Sequence, residues 1–214
     1  MKENIEYLQD LRDVRKLMER SSKFISLSGV SGIMAGVYAL ICAYLVYTDI
    51  LGQASLGSDY GNVPGYADSD FVFIDGLKLL GYGTVTLILA LGTGIFLTVR
   101  KARRKNQKVF SKPAFHLFYN LLIPLVIGGL VCLVLILKGQ LDYVAPLTLI
   151  FYGLALINAS NFTFNDIRGL GAIQCSLGLL SLHFSGYSLL FWALGFGVAH
   201  IFYGIIMYFK YDKK

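Results

Sequence analysis

Six long apolar runs constrain this chain more than any other feature of its sequence. They cover about 24–47, 76–99, 115–137, 144–164, 170–184 and 187–209. A bilayer core about 30 Å thick is crossed by about 20 apolar residues of α-helix. Only 15% of the residues are charged, whereas a soluble domain carries about 25%. The sequence therefore predicts an all-α integral membrane protein with six transmembrane helices, in one transmembrane domain covering 24–209.

The segments outside these runs predict three further parts. Residues 1–23 carry apolar side chains at helical spacing among charged ones, which predicts a short cytoplasmic amphipathic helix on the membrane or on a partner. Residues 48–75 form the longest loop, with five aspartates and no Lys or Arg, and we expect it to be turn-rich and solvated. Residues 210–214 are predicted to be a cytoplasmic tail.

The basic stretch 100–112 orients the chain, because it carries seven Lys and Arg and no acidic residue. With both termini inside, 17 of the 19 Lys and Arg are cytoplasmic, and only Lys78 and Lys138 lie outside. The positive-inside rule strongly favours this orientation. We expect the stretch to attract anionic lipid headgroups and to bind no nucleic acid, since no aromatic residues interleave its charges. Six spans with short loops and no soluble domain are typical of small bacterial inner-membrane proteins, so we expect this chain to be one.

Short matches between the two halves of the chain suggest an inverted 3+3 repeat. Residues 39–43 (ALICA) resemble 155–159 (ALINA), and 119–122 (YNLL) resemble 187–190 (YSLL). Three spans per half would give the halves opposite orientations, as in many secondary transporters. Chance matching between apolar helices is the alternative.

Three polar side chains fall near the predicted bilayer midplane: Asn158, Gln174 and His200. At a rise of 1.5 Å per residue they lie within about 6 Å of the midplane, on its cytoplasmic side. Asn161 and Tyr203 lie at most one turn farther in that direction. Since unpaired polar groups are costly in hydrocarbon, this layer is expected either to bind a ligand or to join helices by hydrogen bonds.

Stripes of small residues predict where helices approach closely. The first span carries Ser28, Gly32 and Gly36 at a spacing of four. The sixth span carries a stripe of mostly small residues, Ala193, Gly197, His200, Gly204 and Met207. The second stripe predicts that His200 points into the bundle and not at lipid.

Signatures of enzymes and of cofactor sites are missing from the sequence. It has no nucleophile elbow, no zinc-protease motif and no P-loop, so we expect no enzymatic activity and no cofactor. His116 and His183 belong near opposite ends of their spans, away from the depth of His200, which argues against a haem held by two histidines. The three cysteines fall inside spans without zinc-site spacing, and we expect no metal.

Two functions remain open from the sequence. The first is a small transporter-like or channel-like protein, working as a homo-oligomer, whose substrate passes the layer around His200. The second is a non-transporting membrane anchor or regulatory module that acts on a partner protein through residues 1–23 and the basic stretch. The first is the leading hypothesis, because of the possible repeat, the small-residue helix faces and the polar layer near the midplane. The absence of charged residues at membrane depth fits the second, because most ion-coupled transporters need them.

Overall fold

The computed structural model of the protein describes residues 28–51, 69–104 and 112–213, which are almost wholly helical. Within 112–213 the helices are joined by short turns. The α-helices in chain order are α1 (Gly29–Val46), α2 (Ser69–Arg104), α3 (Lys112–Leu137), α4 (Val144–Ala159), α5 (Asp166–His183), α6 (Ser188–Trp192) and α7 (His200–Met207). π-helices follow α1 at Tyr47–Leu51, join α6 to α7 at Ala193–Ala199 and follow α7 at Tyr208–Asp212. Together α6, α7 and their π-helices make one C-terminal helix, Ser188–Asp212.

Five helical segments are long and apolar enough to cross a membrane. They are Gly29–Ile50, Ile74–Arg104, Lys112–Leu137, Leu141–Phe162 and Ser188–Asp212. The predicted fifth span corresponds to α5, which has 18 residues and is less apolar because it includes Asp166, Arg168 and Gln174. The prediction of an all-helical chain with membrane-crossing helices is thus confirmed for the described residues. The predicted helix 1–23 lies outside them, as does most of the acidic loop.

The outer surface of the bundle is apolar over most of its height. Large hydrophobic side chains remain exposed on it, including Ile88 at 63%, Phe96 at 65% and Leu137 at 66%. A monomeric soluble protein rarely exposes apolar patches of this extent. The surface is therefore typical of one that faces lipid.

The helices pack in the order α3, α4, α5, C-terminal helix, α1, α2, and glycines set the closest approaches. A Cβ on Gly36 would lie 2.6 Å from the carbonyl oxygen of Gly197, and one on Gly204 would lie 2.6 Å from the nitrogen of Ile33. The small-residue stripes predicted on the first and sixth spans therefore pack against each other, a pairing that the sequence did not specify. In the α4–α5 hairpin, a Cβ on Gly153 would lie 2.6 Å from the carbonyl oxygen of Gly171.

Two helices extend beyond their predicted ends. Helix α2 continues through Arg104, so the first residues of the predicted loop 100–112 are helical, and α3 begins at Lys112. The C-terminal helix likewise continues through Asp212, into the predicted tail 210–214. Cations in the last turn of a helix interact favourably with its dipole, which helps these helices to continue past their apolar runs.

Two aspartates tie the ends of the helices together at what we call the basic end of the bundle, where Lys101 and Lys210 lie. Asp212 accepts hydrogen bonds from Lys101 Nζ and from the backbone N–H of Gly29 at 2.8 Å, at the positive end of the α1 dipole. Asp166 accepts hydrogen bonds from Lys210 Nζ at 2.8 Å and from the Tyr211 hydroxyl at 2.9 Å. The last residues of the chain are therefore docked onto the bundle.

Candidate functional site

A buried polar cluster lies halfway along the bundle, around His200. This residue is the middle one of the C-terminal helix, and Gln174 and Tyr152 stand near the middle of α5 and of Leu141–Phe162. The Tyr152 hydroxyl is 2.8 Å from His200 Nε2, and Gln174 Nε2 is 3.2 Å from His200 Nδ1. His200 is 6% exposed and Gln174 is fully buried. The cluster joins α4, α5 and the C-terminal helix.

The carbonyl oxygen of Gly195 fixes the tautomer of His200. It lies 3.0 Å from His200 Nδ1 and 2.8 Å from Gln174 Nε2. A carbonyl oxygen can only accept, so His200 Nδ1 carries a proton and donates it, and Gln174 donates to the same oxygen. His200 Nε2 is then the acceptor of the Tyr152 hydroxyl. In the neutral imidazole, both ring nitrogens of His200 are therefore bonded.

Gly195 lies in the π-helix Ala193–Ala199, in the middle of the C-terminal helix. π-helices are rare and occur mostly as short insertions in α-helices, frequently at functional sites. Where α- and π-helix meet, the backbone hydrogen-bond pattern changes, so a carbonyl oxygen can accept hydrogen bonds from side chains. A Cβ at position 195 would lie 2.5 Å from both Gln174 Oε1 and Leu149 Cδ2, so both side chains would have to shift to accommodate it.

Aromatic rings enclose the imidazole of His200. The ring of Tyr152 stacks on it with centroids 5.3 Å apart, and the ring of Phe196 does so at 5.8 Å. Phe196 also contacts the rings of Tyr152 and Trp192, each at 5.0 Å. The hydrogen bonds of the cluster are therefore made in an apolar surrounding, where they are stronger than in water.

Two buried polar atoms of this region have no hydrogen-bond partner within the described residues: Gln174 Oε1 and the Tyr203 hydroxyl. Tyr203 lies one turn from His200 toward the basic end, against the apolar cluster that includes Leu170 and Met207. Leaving such a group unpaired costs about 1–3 kcal/mol. Buried polar atoms without a partner are uncommon in native proteins, and each calls for an explanation such as a bound ligand or water.

Asn158, predicted in the same layer, has a different role. Pro124 has no N–H, so the carbonyl oxygen of Asn120, four residues earlier in α3, loses its helical donor. Asn158 Nδ2 donates to this oxygen at 3.1 Å. The Asn120 side chain in turn donates to the carbonyl of His116 at 2.8 Å. Asn158 of α4 thus supplies the hydrogen-bond donor that Pro124 removes from α3.

The structure brings together only part of the predicted layer. Gln174 and His200 are in direct contact, and Tyr203 lies one turn away on the same helix. Asn161 is exposed in the turn after α4, where its side chain donates to the Asn158 carbonyl at 3.2 Å. The two asparagines therefore lie between the cluster and the basic end.

Tyr152 is the member of the cluster that sequence reasoning missed. A tyrosine within an apolar run counts as apolar, and tyrosines are expected mainly at the membrane interfaces. Its position in the middle of Leu141–Phe162, far from either interface, is the signal that could have identified it.

The chemistry available to the cluster is limited to hydrogen bonding by uncharged groups. Among the described residues, no group of three or more His, Cys, Asp or Glu side chains could hold a metal ion. His116 and His183 lie near the ends of their helices, at the basic end and at the other end respectively.

Compared with known protein families, characterised proteins and solved structures, the chain matches none.

Proposed function

We propose that this chain is a six-span protein of a bacterial inner membrane with both termini in the cytoplasm. The apolar outer surface and the five long apolar segments support a membrane location. The helix ends support the orientation. Among the described residues, the basic end carries eight Lys and Arg side chains, and the other end carries Lys78 and Lys138. An excess of basic residues is typical of the cytoplasmic side.

We propose further that the protein is transporter-like or channel-like and lets a small uncharged, hydrogen-bonding solute pass the layer around His200. The observation that carries this proposal is the pair of unpartnered buried atoms, Gln174 Oε1 and the Tyr203 hydroxyl. One can accept a hydrogen bond, and the other can donate or accept one. A neutral His200, bonded on both ring nitrogens, suits a solute without charge better than an ion.

Solute entry into liposomes tests this function. The purified protein is reconstituted, and the uptake of glycerol and urea is followed by stopped-flow light scattering. Tyr203→Phe should slow uptake without lowering the melting temperature, since it removes a hydroxyl that has no hydrogen-bond partner among the described residues. Ser181→Ala is the matched control, because it also removes an unpartnered buried hydroxyl, about 10 Å along α5 from Gln174. Wild-type liposomes no more permeable than protein-free liposomes would contradict the proposal.

A second candidate function is a non-transporting anchor or regulatory module that acts on a partner protein. It is favoured because both ring nitrogens of His200 have hydrogen-bond partners inside the protein. These bonds hold three helical segments together, which is a structural role that needs no solute. Under this function, His200→Ala should lower thermal stability alone. Deletion of residues 1–23 should abolish partner binding while the melting temperature of the helical domain stays unchanged.

A further inference from the structure

A cleft of about 650 Å³ opens between α1 and α2, away from the His200 cluster. Ile41 and Leu45 of α1 line one side, and Val85 and Leu89 of α2 line the other. The Thr86 hydroxyl, which also lines the cleft, is engaged within α2, where it donates to the Tyr82 carbonyl at 2.8 Å. The wall is therefore almost wholly apolar, and its volume is in the range of small-molecule sites.

The length of the cleft corresponds to one leaflet of a bilayer. Its lining residues on α2 run from Lys78 to Leu89. At a rise of 1.5 Å per residue this is about 16 Å, close to half of a hydrocarbon core about 30 Å thick. An occupant that extends from Lys78 to the middle of the bundle therefore has the length of a lipid acyl chain.

Charged groups of both signs surround the mouth of the cleft. Lys78 Nζ lies 3.7 Å from Asp49 Oδ2 and 3.8 Å from Asp75 Oδ1, distances too long for direct hydrogen bonds. The Tyr82 hydroxyl donates to Asp49 at 3.0 Å. Among the described residues, these two carboxylates and one ammonium give the mouth a net charge of −1 (two negative charges and one positive).

We propose that this cleft binds an amino-phospholipid, with one acyl chain between α1 and α2 and the headgroup at the mouth. The lipid phosphate would take N–H donors of Lys78, and its primary ammonium would donate to the carboxylates of Asp49 and Asp75. Charge-assisted hydrogen bonds of this kind are about twice as strong as neutral ones. The excess carboxylate disfavours a headgroup that is anionic overall. The site is independent of the His200 layer and of any solute that passes it.

Gly81 provides a way to fill the cleft without disturbing the bundle. It lines the cleft, and nothing lies within 4 Å of a Cβ added to it. Gly92 lies three turns along α2, is equally open and does not line the cleft. Gly81→Leu therefore occupies the site, and Gly92→Leu is the matched control for the same substitution in the same helix.

Native mass spectrometry of the purified full chain tests the proposal. The protein in detergent is offered phosphatidylethanolamine, phosphatidylcholine and phosphatidylglycerol in equal amounts. Wild type and Gly92→Leu should retain phosphatidylethanolamine over the other two. Gly81→Leu should retain about tenfold less of it, as expected from the loss of roughly 1.4 kcal/mol of binding free energy. Asp75→Asn should reduce the preference over phosphatidylcholine, whose quaternary amine has no N–H to donate.

Four outcomes would overturn the proposal. Unchanged retention by Gly81→Leu would remove the cleft as the site, and equal loss in Gly81→Leu and Gly92→Leu would point to a general effect on α2. Retention of phosphatidylglycerol equal to that of phosphatidylethanolamine would show that the charges at the mouth do not select the headgroup. A dimer in place of bound lipid, abolished by Gly81→Leu alone, would make a second copy of the chain the occupant.

Discussion

Tyr152 and Tyr203 are two partly buried tyrosines on different helices, and they differ in what their hydroxyls do. The Tyr152 hydroxyl donates to His200 Nε2, whereas that of Tyr203 has no partner in the described part of the chain. Removing the first leaves a buried acceptor unsatisfied, and removing the second leaves no broken bond. At the scale of single residues, hydrogen bonding and not burial should therefore decide which substitution destabilises the protein.

We predict that Tyr152→Phe lowers the free energy of unfolding by about 1 kcal/mol, within the range measured for hydrogen bonds between membrane helices. Tyr203→Phe should leave it unchanged or raise it slightly, because an unpaired buried hydroxyl is lost. Denaturation of the purified protein in mixed micelles measures both changes. Equal destabilisation by the two substitutions would mean that ring packing, and not the bond to His200, determines the effect.

At the scale of elements, the proline in α3 and the asparagine in α4 form one unit. Pro124 leaves the Asn120 carbonyl without a helical donor, and Asn158 supplies a donor from the neighbouring helix. This arrangement stabilises the contact between α3 and α4 at a point where α3 alone would be weakened. It also explains why a polar side chain can be placed within an apolar run without serving as a ligand.

A double-mutant cycle should detect this coupling between α3 and α4. Asn158→Leu alone should cost about 1–3 kcal/mol, because the Asn120 carbonyl is then buried and unpaired. Pro124→Ala restores the backbone N–H that this carbonyl needs, so Asn158→Leu should cost clearly less in that background. The difference, measured by unfolding of the four proteins, should be about 0.5–3 kcal/mol. Additive effects would show that the Asn158 bond is independent of the proline.

The sequence predicted the helical elements well, because apolar length and small-residue spacing are local properties. It also predicted that His200 points inward, from the stripe that includes Gly197 and Gly204. It did not predict the partners of the polar residues. Asn158 was assigned to the His200 layer from its depth along the helix alone. Its hydrogen-bond partner depends instead on which helices are neighbours and on how each helix is rotated about its own axis. The π-helix at Ala193–Ala199, which changes that rotation in mid-helix, has no clear sequence signal.

At the scale of the whole molecule, the basic end is held together by ionised carboxylates. The bond from Lys210, followed by that from Tyr211, lowers the pKa of Asp166 below its ordinary value, although partial burial opposes this. A carboxyl group with a lowered pKa in the folded state contributes stability that is fully present above its unfolded pKa, near 4. That contribution is lost as the pH falls through the lower folded pKa.

We therefore predict that the melting temperature falls below about pH 4, and that it falls less steeply in Asp166→Asn. Comparing the two proteins from pH 6 to pH 3 isolates Asp166, since other carboxyl groups titrate in both. The two curves should converge at the acid end, where Asp166 is protonated in the wild type. Parallel curves over the whole range would show that Asp166 adds no pH-dependent stability.

The orientation of the whole bundle follows from which of its ends is basic. Asp142 is exposed in the turn before α4, at the end remote from Lys101, and Lys213 is exposed at the basic end. After replacement of the three native cysteines by alanine, we predict that a cysteine at 142 reacts with a membrane-impermeant maleimide on intact cells. A cysteine at 213 should react only after lysis, because translocating the Lys- and Arg-rich end across the membrane is disfavoured. Labelling of position 213 in intact cells would reverse the proposed topology and would move the amino-phospholipid cleft to the cytoplasmic leaflet.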